Sequence, residues 1–371
     1  MTIGVMGCVR ELPAEFPISF AENAGNMIHG NAPFEMFGDA VHSSDKAAIR
    51  ATGSSGFAEF VNKHCSHLIV TLANTLRLND TDGTRYSRLL STLEKIDKPV
   101  VIFGLGVQSA SDDISEATLP SEAVRLMKHL GERAPLVGVR GQTTADVLAQ
   151  LCGVNNTFVT GCPSLYSRPQ ALARLGESWQ HTSGRPAFNG TKLHQPSERS
   201  ALHRAIRHGH FIVETVNKFN HQYHVDVSRG LLEAELPYFL RNYTVDNPDR
   251  RGMDEVAAAF RQNYRLFRDT KSWYTFNSAC VSFSYGTRFH ANMASVLSGR
   301  PALWVTHDSR TRELTKALHL PALSQQDFDA LDPREIGDAI DYTDFFDHIG
   351  ALFAKFNEYL SAHGLPKVSA P

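Results

Sequence analysis

Short apolar segments alternate with helix-period segments along most of the chain, and this alternation constrains the fold more than any other feature. In the first half, the predicted strands cover residues 67–72, 99–103, 135–140 and 157–160, and the predicted helices cover 87–96, 122–130 and 143–151. Strand, helix and strand repeated in this order predict a mainly parallel sheet covered on both faces. Such strands are buried on both sides, which agrees with their continuous apolar character.

The alternation stops between residues 181 and 200, where Gly, Pro, Ser, Asn and Thr accumulate without an apolar period, and it then resumes. After this break, the predicted strands are 211–214, 279–284 and 301–305, and the predicted helices are 229–240, 254–267, 290–297, 310–318 and 342–363. A chain of 371 residues is long for one core. We therefore predict an α/β protein with two doubly wound, Rossmann-like domains that face a central cleft. The predicted parts are an N-terminal domain (1–180), a linker (181–200), a C-terminal domain (201–340), and a terminal helix with a tail (341–371).

Composition and charge exclude several classes of protein. The net charge is −2 and no basic face or run stands out, which argues against a nucleic-acid partner. No stretch of about eighteen apolar residues predicts a membrane span, and the first residues do not resemble a signal peptide. The five cysteines are scattered and form no Cys-x-x-Cys pair, so neither a disulfide framework nor a zinc ribbon is expected. We expect a cytoplasmic protein, and the sequence leaves its oligomeric state open.

The turn between strand 279–284 and the next helix carries two candidate catalytic residues, Arg288 and His290. They follow Gly286 and Thr287 at the start of a helix, where free N–H groups and the helix dipole favour an anion. A guanidinium matches a carboxylate or a phosphate with a planar fork of donors, and an imidazole can move a proton near neutral pH. An isolated pair of this kind is more often a surface arginine beside a core histidine. Ligand sites in α/β proteins, however, cluster at such turns.

Other turns supply further candidates of the same kind. Arg140 ends strand 135–140, and a threonine that opens the next helix can cap its free N–H groups. The alternative interpretation of this turn is an ordinary cap with a surface salt bridge. The turn after strand 99–103 has two glycines that let a ligand approach, but it lacks the third glycine of a dinucleotide fingerprint. A polar glycine turn near the N-terminus suits an anion or a sugar hydroxyl, or is an ordinary cap. The candidate binding residues of these turns are Thr143, Thr144, Gly104, Gly106, Asn23, Gly25 and Asn26.

Three other patterns are interpreted as structural. Asp80 and Asp82 form a D-x-D pair that follows no apolar strand, so a surface turn is favoured over a metal–nucleotide site. The seventeen histidines show no closed ligand spacing, and no metal site is predicted. Cys162 has no visible paired base, which favours a small buried residue over a nucleophile.

These turns resemble a known family. Arg288-Phe289-His290-Ala291, then Gly299-Arg300-Pro301-Ala302-Leu303, then His307-Asp308-Ser309-Arg310 resemble the C-terminal signature of polysaccharide pyruvyl transferases. Asn23-Ala24-Gly25-Asn26 is similar to the family's N-x-G-[DN] loop. Val139-Arg140 with Thr143 or Thr144 resembles its V-R-x-x-[ST] turn, and Gly161-Cys162-Pro163 its glycine-proline turn. Thr287 and Asn292 depart from the family pattern and are candidates for contact with the acceptor. Asp308, in the acidic-basic loop, is a further candidate substrate-binding residue.

The resemblance implies a GT-B-like fold and phosphoenolpyruvate as the donor. The product would be a cyclic pyruvate ketal on a sugar of a polysaccharide or of its lipid-linked precursor. Arg288 and Arg140 would hold the donor's carboxylate and phosphate, and His290 would be the acid/base. The family needs no metal or other cofactor. The implied partners are phosphoenolpyruvate and a glycan or lipid-linked saccharide, with the enzyme at the inner face of the membrane beside polysaccharide assembly enzymes.

Two other functions fit the same frame. A GT-B-type glycosyltransferase would use a nucleotide sugar and would offer an acidic residue to the ribose, for which Glu313 is the candidate. A non-catalytic sugar-binding protein predicts loss of the arginines or the histidine, yet Arg140, Arg288 and His290 are all present.

Overall fold

The structure is a computed structural model that describes residues 2–12, 23–108, 114, 116–213, 218–231, 234–241, 243, 253–332 and 334–371. Within these residues the strands are β1 (Ile3–Gly7), β2 (Ala40–His42), β3 (His67–Thr71), β4 (Leu76–Arg77), β5 (Val100–Phe103), β6 (Val107–Gln108), β7 (Val137–Val139), β8 (Thr157–Val159), β9 (Arg185–Asn189), β10 (Phe211–Val213), β11 (Tyr264–Arg265), β12 (Val281–Gly286), β13 (Ala302–Thr306) and β14 (Ala322–Ser324).

The helices of the described residues connect these strands. They are Asn26–Phe37, Lys46–Ala51, Phe57–His64, Thr84–Leu93, Ser121–Arg133, Gln142–Cys152, Pro169–Ser178, Pro196–Arg207, Lys218–Ser228, Met253–Asn263, Thr270–Cys280, Phe289–Val296, Ser309–Ala317, Gln325–Ala330 and Thr343–Ala362, with short 3-10 helices at Pro163–Ser167 and Tyr238–Leu240. None of them is both long enough and apolar enough to cross a bilayer.

The N-terminal half is built on a parallel sheet in the order β2-β1-β3-β5. The short parallel pair β7-β8 continues beside β5, where Leu105 N–H donates to Gly138 O at 3.1 Å. The apolar runs predicted as strands are the buried centre of this sheet, as Leu68, Ile69 and Val101 show by being fully buried. Strand β1 was not predicted, although it pairs with both β2 and β3.

The C-terminal half is a second parallel sheet in the order β11-β10-β9-β12-β13-β14. Two parallel α/β halves confirm the predicted fold class. The segment 181–200, which we predicted as a linker and to which we assigned no strand or helix, contains β9 and the start of the helix Pro196–Arg207. Since β9 lies between β10 and β12, pairing with its neighbours makes it a central strand despite its composition.

Other differences from the predicted elements are local. Residues 229–231 are not helical, because the preceding helix Lys218–Ser228 ends before them, and only Tyr238–Leu240 of the predicted helix 229–240 forms a short 3-10 turn. Residues 232 and 233 of that prediction lie outside the described residues, as does Glu214 at the end of the predicted strand 211–214. The predicted helix 254–267 ends at Asn263, and its last part pairs with β10 as β11.

The terminal helix Thr343–Ala362 joins the two halves. It follows the C-terminal sheet in the chain, but Tyr359 Oη donates to Ile102 O of β5 at 2.7 Å. Just beyond the helix, His363 Nε2 contacts Leu136 O at 3.0 Å, and His67 Nε2 contacts His363 O at 3.0 Å. The C-terminal end of the chain is therefore anchored to the N-terminal sheet, which helps to hold the cleft-forming halves together.

Candidate functional site

A small cavity of about 100 Å³ lies between the two halves, next to the turn after β12. Each water in the liquid occupies ~30 Å³, so this cavity suits a small molecule rather than an oligosaccharide. Both halves contribute side chains to it, as the sequence predicted for a cleft site. The lining residues are Asn23, Gly25, Asn26, Asn74, Arg140, Thr191, Arg288, Phe289, His290, Arg310 and Leu314.

The turn that carries Arg288 and His290 is fixed by close contact with the end of β9. Gly286 has φ +135°, and a Cβ on it would lie 1.8 Å from Asn189 O, so only glycine fits there. Asn189 O accepts from Thr287 N–H at 3.2 Å, and its Oδ1 accepts from Arg288 N–H at 2.8 Å. Arg288 Nε donates to Gly190 O at 2.6 Å. Strand β9, which was not predicted, thus orients Arg288.

Two residues that the sequence placed at the acceptor support this turn. Asn292 is fully buried, and its side chain bonds Asn189, Ser284 and the carbonyls of Gly286 and Leu303. Thr287 is buried as well, and its hydroxyl donates to Thr191 Oγ1 at 3.0 Å. Neither side chain lines the small cavity. Both side chains hold the turn, and their contact with the acceptor stays a prediction.

Arg140 is the most unusual group in the site, because it is a buried cation with unused donors. It is 2 % exposed, and its Nη1 donates to Asn74 Oδ1 at 2.8 Å. Its Nε and Nη2 atoms are buried and make no hydrogen bond to any described residue. Burial lowers the pKa of Arg140 from its ordinary value. A buried guanidinium with two unused N–H groups is costly unless an anion binds there.

The helix start after Arg140 already holds an anion of the protein itself. Glu313 Oε1 accepts from Thr144 N–H at 3.2 Å, and the carboxylate also bonds Thr143. A Cβ on Gly141 would lie 2.1 Å from Glu313 Cγ, so the glycine makes room for this side chain. The predicted threonine cap is wrong: no side chain of the helix caps it, and a carboxylate from the other half fills the place. Neither threonine lines the small cavity, and their contact with a substrate stays a prediction.

Gly104 and Gly106, which we predicted to let a ligand approach, do not line the small cavity either. Their small size serves two site residues. A Cβ on Gly104 would lie 2.8 Å from His29 Cε1, and a Cβ on Gly106 would lie 2.8 Å from Arg140 Cδ. The glycines let these two side chains pass close to the backbone. Asn23, Gly25 and Asn26, in contrast, line the cavity, and Asn23 Oδ1 accepts from Gly25 N–H at 2.9 Å.

Cys162 lies behind His290 and is fully buried, as the sequence predicted, but its contacts with two histidines were not predicted. Cys162 Sγ is 3.4 Å from His290 Nε2 and 3.8 Å from His29 Nδ1. His29 Nε2 is 3.0 Å from Phe103 O, and because a carbonyl only accepts, Nε2 carries the proton and Nδ1 faces the thiol as an acceptor. Cys162 is 133 positions from His29 and 128 positions from His290 along the chain, so no spacing pattern in the sequence indicates these contacts.

Both histidines are neutral in this setting. Burial, followed by the charge of Arg140, lowers the pKa of His29 to about 3. Burial lowers the pKa of His290 well below its ordinary value, and the charges of Arg140 and Arg310 lower it further. The site is therefore prepared for negative charge, because a bound anion would offset the cations that keep His290 unprotonated.

These buried neutral histidines predict an acid-sensitive fold. The unfolded chain binds their protons below about pH 6.5, whereas folded His29 does not until about pH 3, so stability must fall as pH falls through this window. At pH 4.5 we expect His29 alone to lower the free energy of unfolding by about 2–3 kcal/mol relative to pH 7. Urea unfolding at both pH values measures this effect. Between pH 7 and pH 4.5, the free energy of unfolding of His29→Gln should fall less than that of the unmodified protein, by the same amount.

The matched control is His194→Gln, which replaces an exposed histidine. This variant should lose as much stability between pH 7 and pH 4.5 as the unmodified protein. An equal loss in His29→Gln and in the unmodified protein would mean that His29 is not held neutral by the fold.

Among the described residues, two groups of side chains have ligand types that a metal ion could use. The relevant atoms of His29, Cys162 and His290 lie within 4.8 Å of one another, and imidazole and thiolate suit zinc. The lowered pKa values of His29 and His290 come in part from the charge of buried Arg140, which would also repel a divalent cation. The second group, His319, Asp344 and His348, lies at the surface away from the cavity.

A second, larger cavity of about 700 Å³ adjoins the first and shares Thr191 and Arg310 with it. Asp308 lies here and not in the small cavity. Its Oδ1 caps the helix Ser309–Ala317 by accepting from Thr311 N–H at 2.8 Å, and its Oδ2 is 3.1 Å from Arg310 Nη2. Burial would raise the pKa of Asp308, but the charges of Arg310 and His307 and the bonds to Thr311 outweigh it and lower that pKa.

Comparisons with known proteins were made by sequence and by structure. The UDP-GlcNAc 2-epimerase of Methanocaldococcus jannaschii, solved with UDP-GlcNAc and UDP, is 8% identical, with a TM-score of 0.41 over 89% of this chain and 90% of that one. The S. aureus protein MnaA, solved with UDP, is 10% identical, with a TM-score of 0.45 over 100% and 98%. The wall teichoic acid polymerase TagF is 9% identical, with a TM-score of 0.38 over 98% and 87%. Among curated proteins, no sequence matches this chain.

The sequence profile of one family covers most of the chain. The family is described as polysaccharide pyruvyl transferase, and its profile matches residues 23–309. The matched segment begins at Asn23 in the N-terminal turn and includes Arg140, Arg288 and His290, which line the small cavity together. This chain belongs to the polysaccharide pyruvyl transferase family.

Proposed function

We propose that the protein transfers pyruvate from phosphoenolpyruvate to two hydroxyls of a sugar, forming a cyclic ketal and releasing phosphate. The observation that carries this proposal is the small cavity in which Arg140, with two unused N–H groups, lies beside Arg288 and His290. Phosphoenolpyruvate is a small molecule with two anionic groups, and guanidinium forks suit both a carboxylate and a phosphate. The acceptor is a sugar of a polysaccharide or of its lipid-linked precursor.

The roles of the arginines follow from their different settings. Arg140 is buried and offers Nε and Nη2, which is the edge that bonds an oxyanion with two parallel hydrogen bonds. Arg288 also lines the small cavity, its Nε donates to Gly190 O at 2.6 Å, and we assign it the second anion contact. Arg310 adds a third positive charge at the opening towards the larger cavity.

The chemistry requires a proton at one carbon of the donor and the loss of two hydroxyl protons from the acceptor. A proton from His290 is added to the methylene carbon, which gives the adjacent carbon positive character. The first sugar hydroxyl bonds to that carbon and loses its proton, phosphate leaves with its bonding electron pair, and the second hydroxyl bonds and loses its proton. One of the two hydroxyl protons restores His290, and the other leaves with phosphate or water.

Binding of the donor prepares His290 for this step. Arg140 and Arg310 are two of the charges that lower its pKa, and a bound phosphate and carboxylate offset them. His290 therefore gains a proton when the donor arrives. Cys162, 3.4 Å from His290 Nε2, keeps the ring oriented from behind.

The glycosyltransferase alternative is less well supported by the same geometry. Its candidate ribose contact was Glu313, but that carboxylate is engaged by Thr143 and Thr144 at the start of the helix Gln142–Cys152. A nucleotide ribose would have to displace these bonds. The small cavity also suits phosphoenolpyruvate better than a nucleotide sugar.

Thermal shift measurements with each candidate donor test the proposal. We expect phosphoenolpyruvate at about a hundred times its Kd to stabilise the protein by about 2.7 kcal/mol, which raises Tm by a few degrees. UDP-glucose and GDP-mannose at the same concentration should leave Tm nearly unchanged. Stabilisation by a nucleotide sugar without stabilisation by phosphoenolpyruvate would establish the alternative instead.

A further inference from the structure

Cys162 is the centre of a buried hydrogen-bonded group behind the donor cavity. Its Sγ lies 3.4 Å from His290 Nε2, 3.8 Å from His29 Nδ1 and 3.1 Å from Ser164 Oγ. All four side chains are buried, and the two histidines come from helices in different halves of the protein. Of the four residues, His290 alone lines the small cavity, so Cys162 can act on a bound donor only through His290.

The thiol has one hydrogen to donate, and His29 determines where it goes. His29 Nε2 donates to Phe103 O at 3.0 Å, so the other ring nitrogen, Nδ1, carries no proton in the neutral histidine. Among the described residues, Cys162 is the hydrogen-bond partner of this nitrogen. A buried acceptor without a donor is costly, so the S–H group points to His29.

Once its hydrogen is used in this way, Cys162 Sγ can only accept. Ser164 can donate to it, because a hydroxyl hydrogen rotates to suit its partner. His290 Nε2 must carry a hydrogen in order to bond the sulfur. In neutral His290 the lone pair is then on Nδ1. The opposite tautomer would set an unprotonated Nε2 against a sulfur whose hydrogen already bonds His29.

The second ring nitrogen of His290 is available to a ligand. Within the described residues, the bond to Cys162 is the hydrogen bond that this ring makes. The two nitrogens of an imidazole point away from each other, so a ring that turns Nε2 towards the thiol turns Nδ1 away from it. His290 lines the small cavity beside Arg140 and Arg288.

We infer that Cys162 and His29 are positioning residues that hold His290 in its Nε2–H form, so that Nδ1 is the atom that exchanges protons with the substrates. The inference rests on the proposed function for the reaction. Nδ1 takes up a proton when phosphoenolpyruvate binds and gives it to the methylene carbon, where the double-bond electron pair forms the new C–H bond. The proton lost by one sugar hydroxyl returns to Nδ1. Nε2 keeps its hydrogen on the sulfur throughout, and the thiol neither gains nor loses a proton.

Two substitutions of Cys162 separate positioning from packing. Cys162→Ala removes the acceptor of His290 Nε2, so we expect kcat to fall by about 10- to 100-fold, as is typical when the partner that fixes a histidine tautomer is lost. KM for phosphoenolpyruvate should stay the same, because Arg140 and Arg288 bind its anionic groups. In Cys162→Ser the hydroxyl can donate to one histidine and accept from the other, so most of kcat should be restored. The matched control is Cys65→Ala, which removes another buried thiol outside the small cavity and should keep kcat.

Nitrogen-15 NMR of histidine-labelled protein without ligand measures the tautomer. The ring signals that disappear in His290→Gln identify His290, and their chemical shifts distinguish a protonated Nε2 from a protonated Nδ1. We expect the Nε2–H form in the unmodified protein and in Cys162→Ser, and both forms in Cys162→Ala. His29→Leu removes the acceptor of the thiol hydrogen, which can then turn to His290 Nε2, and should shift His290 towards the Nδ1–H form.

Each result supports or overturns the inference. The Nδ1–H form in the unmodified protein, or one and the same tautomer in the unmodified protein, Cys162→Ala and His29→Leu, overturns it while the proposed donor stands. An unchanged kcat in Cys162→Ala overturns it too, and an equal loss of kcat in Cys162→Ala and Cys162→Ser makes Cys162 a packing residue. If phosphoenolpyruvate supports no turnover in the unmodified protein, the proposed function fails, and the NMR signals still decide whether Cys162 and His29 fix the tautomer.

Discussion

His290→Gln should lower the rate of acceptor-dependent phosphate release from phosphoenolpyruvate by about 10²–10⁴-fold while the protein stays folded. A positioned acid/base group typically contributes this much. Glutamine is close to histidine in size and can still donate to Cys162, so the effect reports loss of the titrating group rather than loss of packing. Phosphate release at saturating phosphoenolpyruvate and acceptor measures it, with Tm as the check on folding.

His210→Gln is the matched control for His290→Gln. His210 is also buried, and burial also lowers its pKa, in this case to about 4. Its Nδ1 bonds Tyr285 Oη at 2.8 Å, and it does not line the donor cavity. We expect this variant to keep its turnover even if its Tm falls. Retained turnover in His290→Gln would instead assign the proton transfer to another group, with His29 the next candidate.

Proton uptake gives a second readout of the same role. If donor charge raises the pKa of His290, binding of phosphoenolpyruvate near pH 7.5 takes up more protons in the unmodified protein than in His290→Gln. Calorimetry in two buffers of different ionisation enthalpy measures this number. Equal uptake in both proteins would show that His290 does not gain the proton on binding, whatever its effect on rate.

The part of the fold that the sequence predicted is the part that depends on continuous apolar runs. The segments that became β3, β5, β13 and the helix Ser121–Arg133 have a buried pattern that is visible locally. Strand β9 could not be found this way, because its sequence Arg-Pro-Ala-Phe-Asn lies within a segment rich in Gly, Pro and Ser. Pairing with β10 and β12 makes it a strand, and pairing is a property of the tertiary structure.

The candidate site also contains residues that a local sequence pattern indicates and residues that only the tertiary structure brings together. Arg140, Arg288 and His290 could be predicted because each follows a strand, at the edge where ligands bind in α/β proteins. For Asn292 and Thr287, the sequence could not distinguish a contact with the acceptor from the internal hydrogen bonds that these side chains make in the turn. The contacts of Cys162 with His29 and His290 join three distant turns, and no local pattern indicates them.

Arg140→Met should separate stability from function. We expect kcat/KM for phosphoenolpyruvate to fall by about 30- to 5,000-fold, since removing one partner of a buried charged contact costs about 2–5 kcal/mol. Tm without ligand should stay the same or rise, because methionine replaces a buried cation whose Nε and Nη2 have no hydrogen bond to the described residues. The rise in Tm on addition of phosphoenolpyruvate should disappear.

Arg133→Met is the control that shows the opposite behaviour. Arg133 Nη2 donates to Ile96 O at 2.8 Å and to Lys98 O at 3.0 Å, so its donors are used by the fold. This variant should lose stability and keep its affinity for phosphoenolpyruvate. If Arg140→Met is destabilised like Arg133→Met and still binds the donor, Arg140 is a structural residue.

The pH dependence of Arg140→Met supplies the final test of the electrostatic argument. The charge of Arg140 lowers the pKa of both His290 and His29, so its removal should raise both pKa values towards the ordinary range. The folded protein then binds protons at a higher pH, and less stability is lost between pH 6.5 and pH 4.5 than in the unmodified protein. A variant that loses donor binding but keeps the original pH dependence would show that burial alone holds the histidines neutral. Donor charge would then have no means of protonating His290 through Arg140.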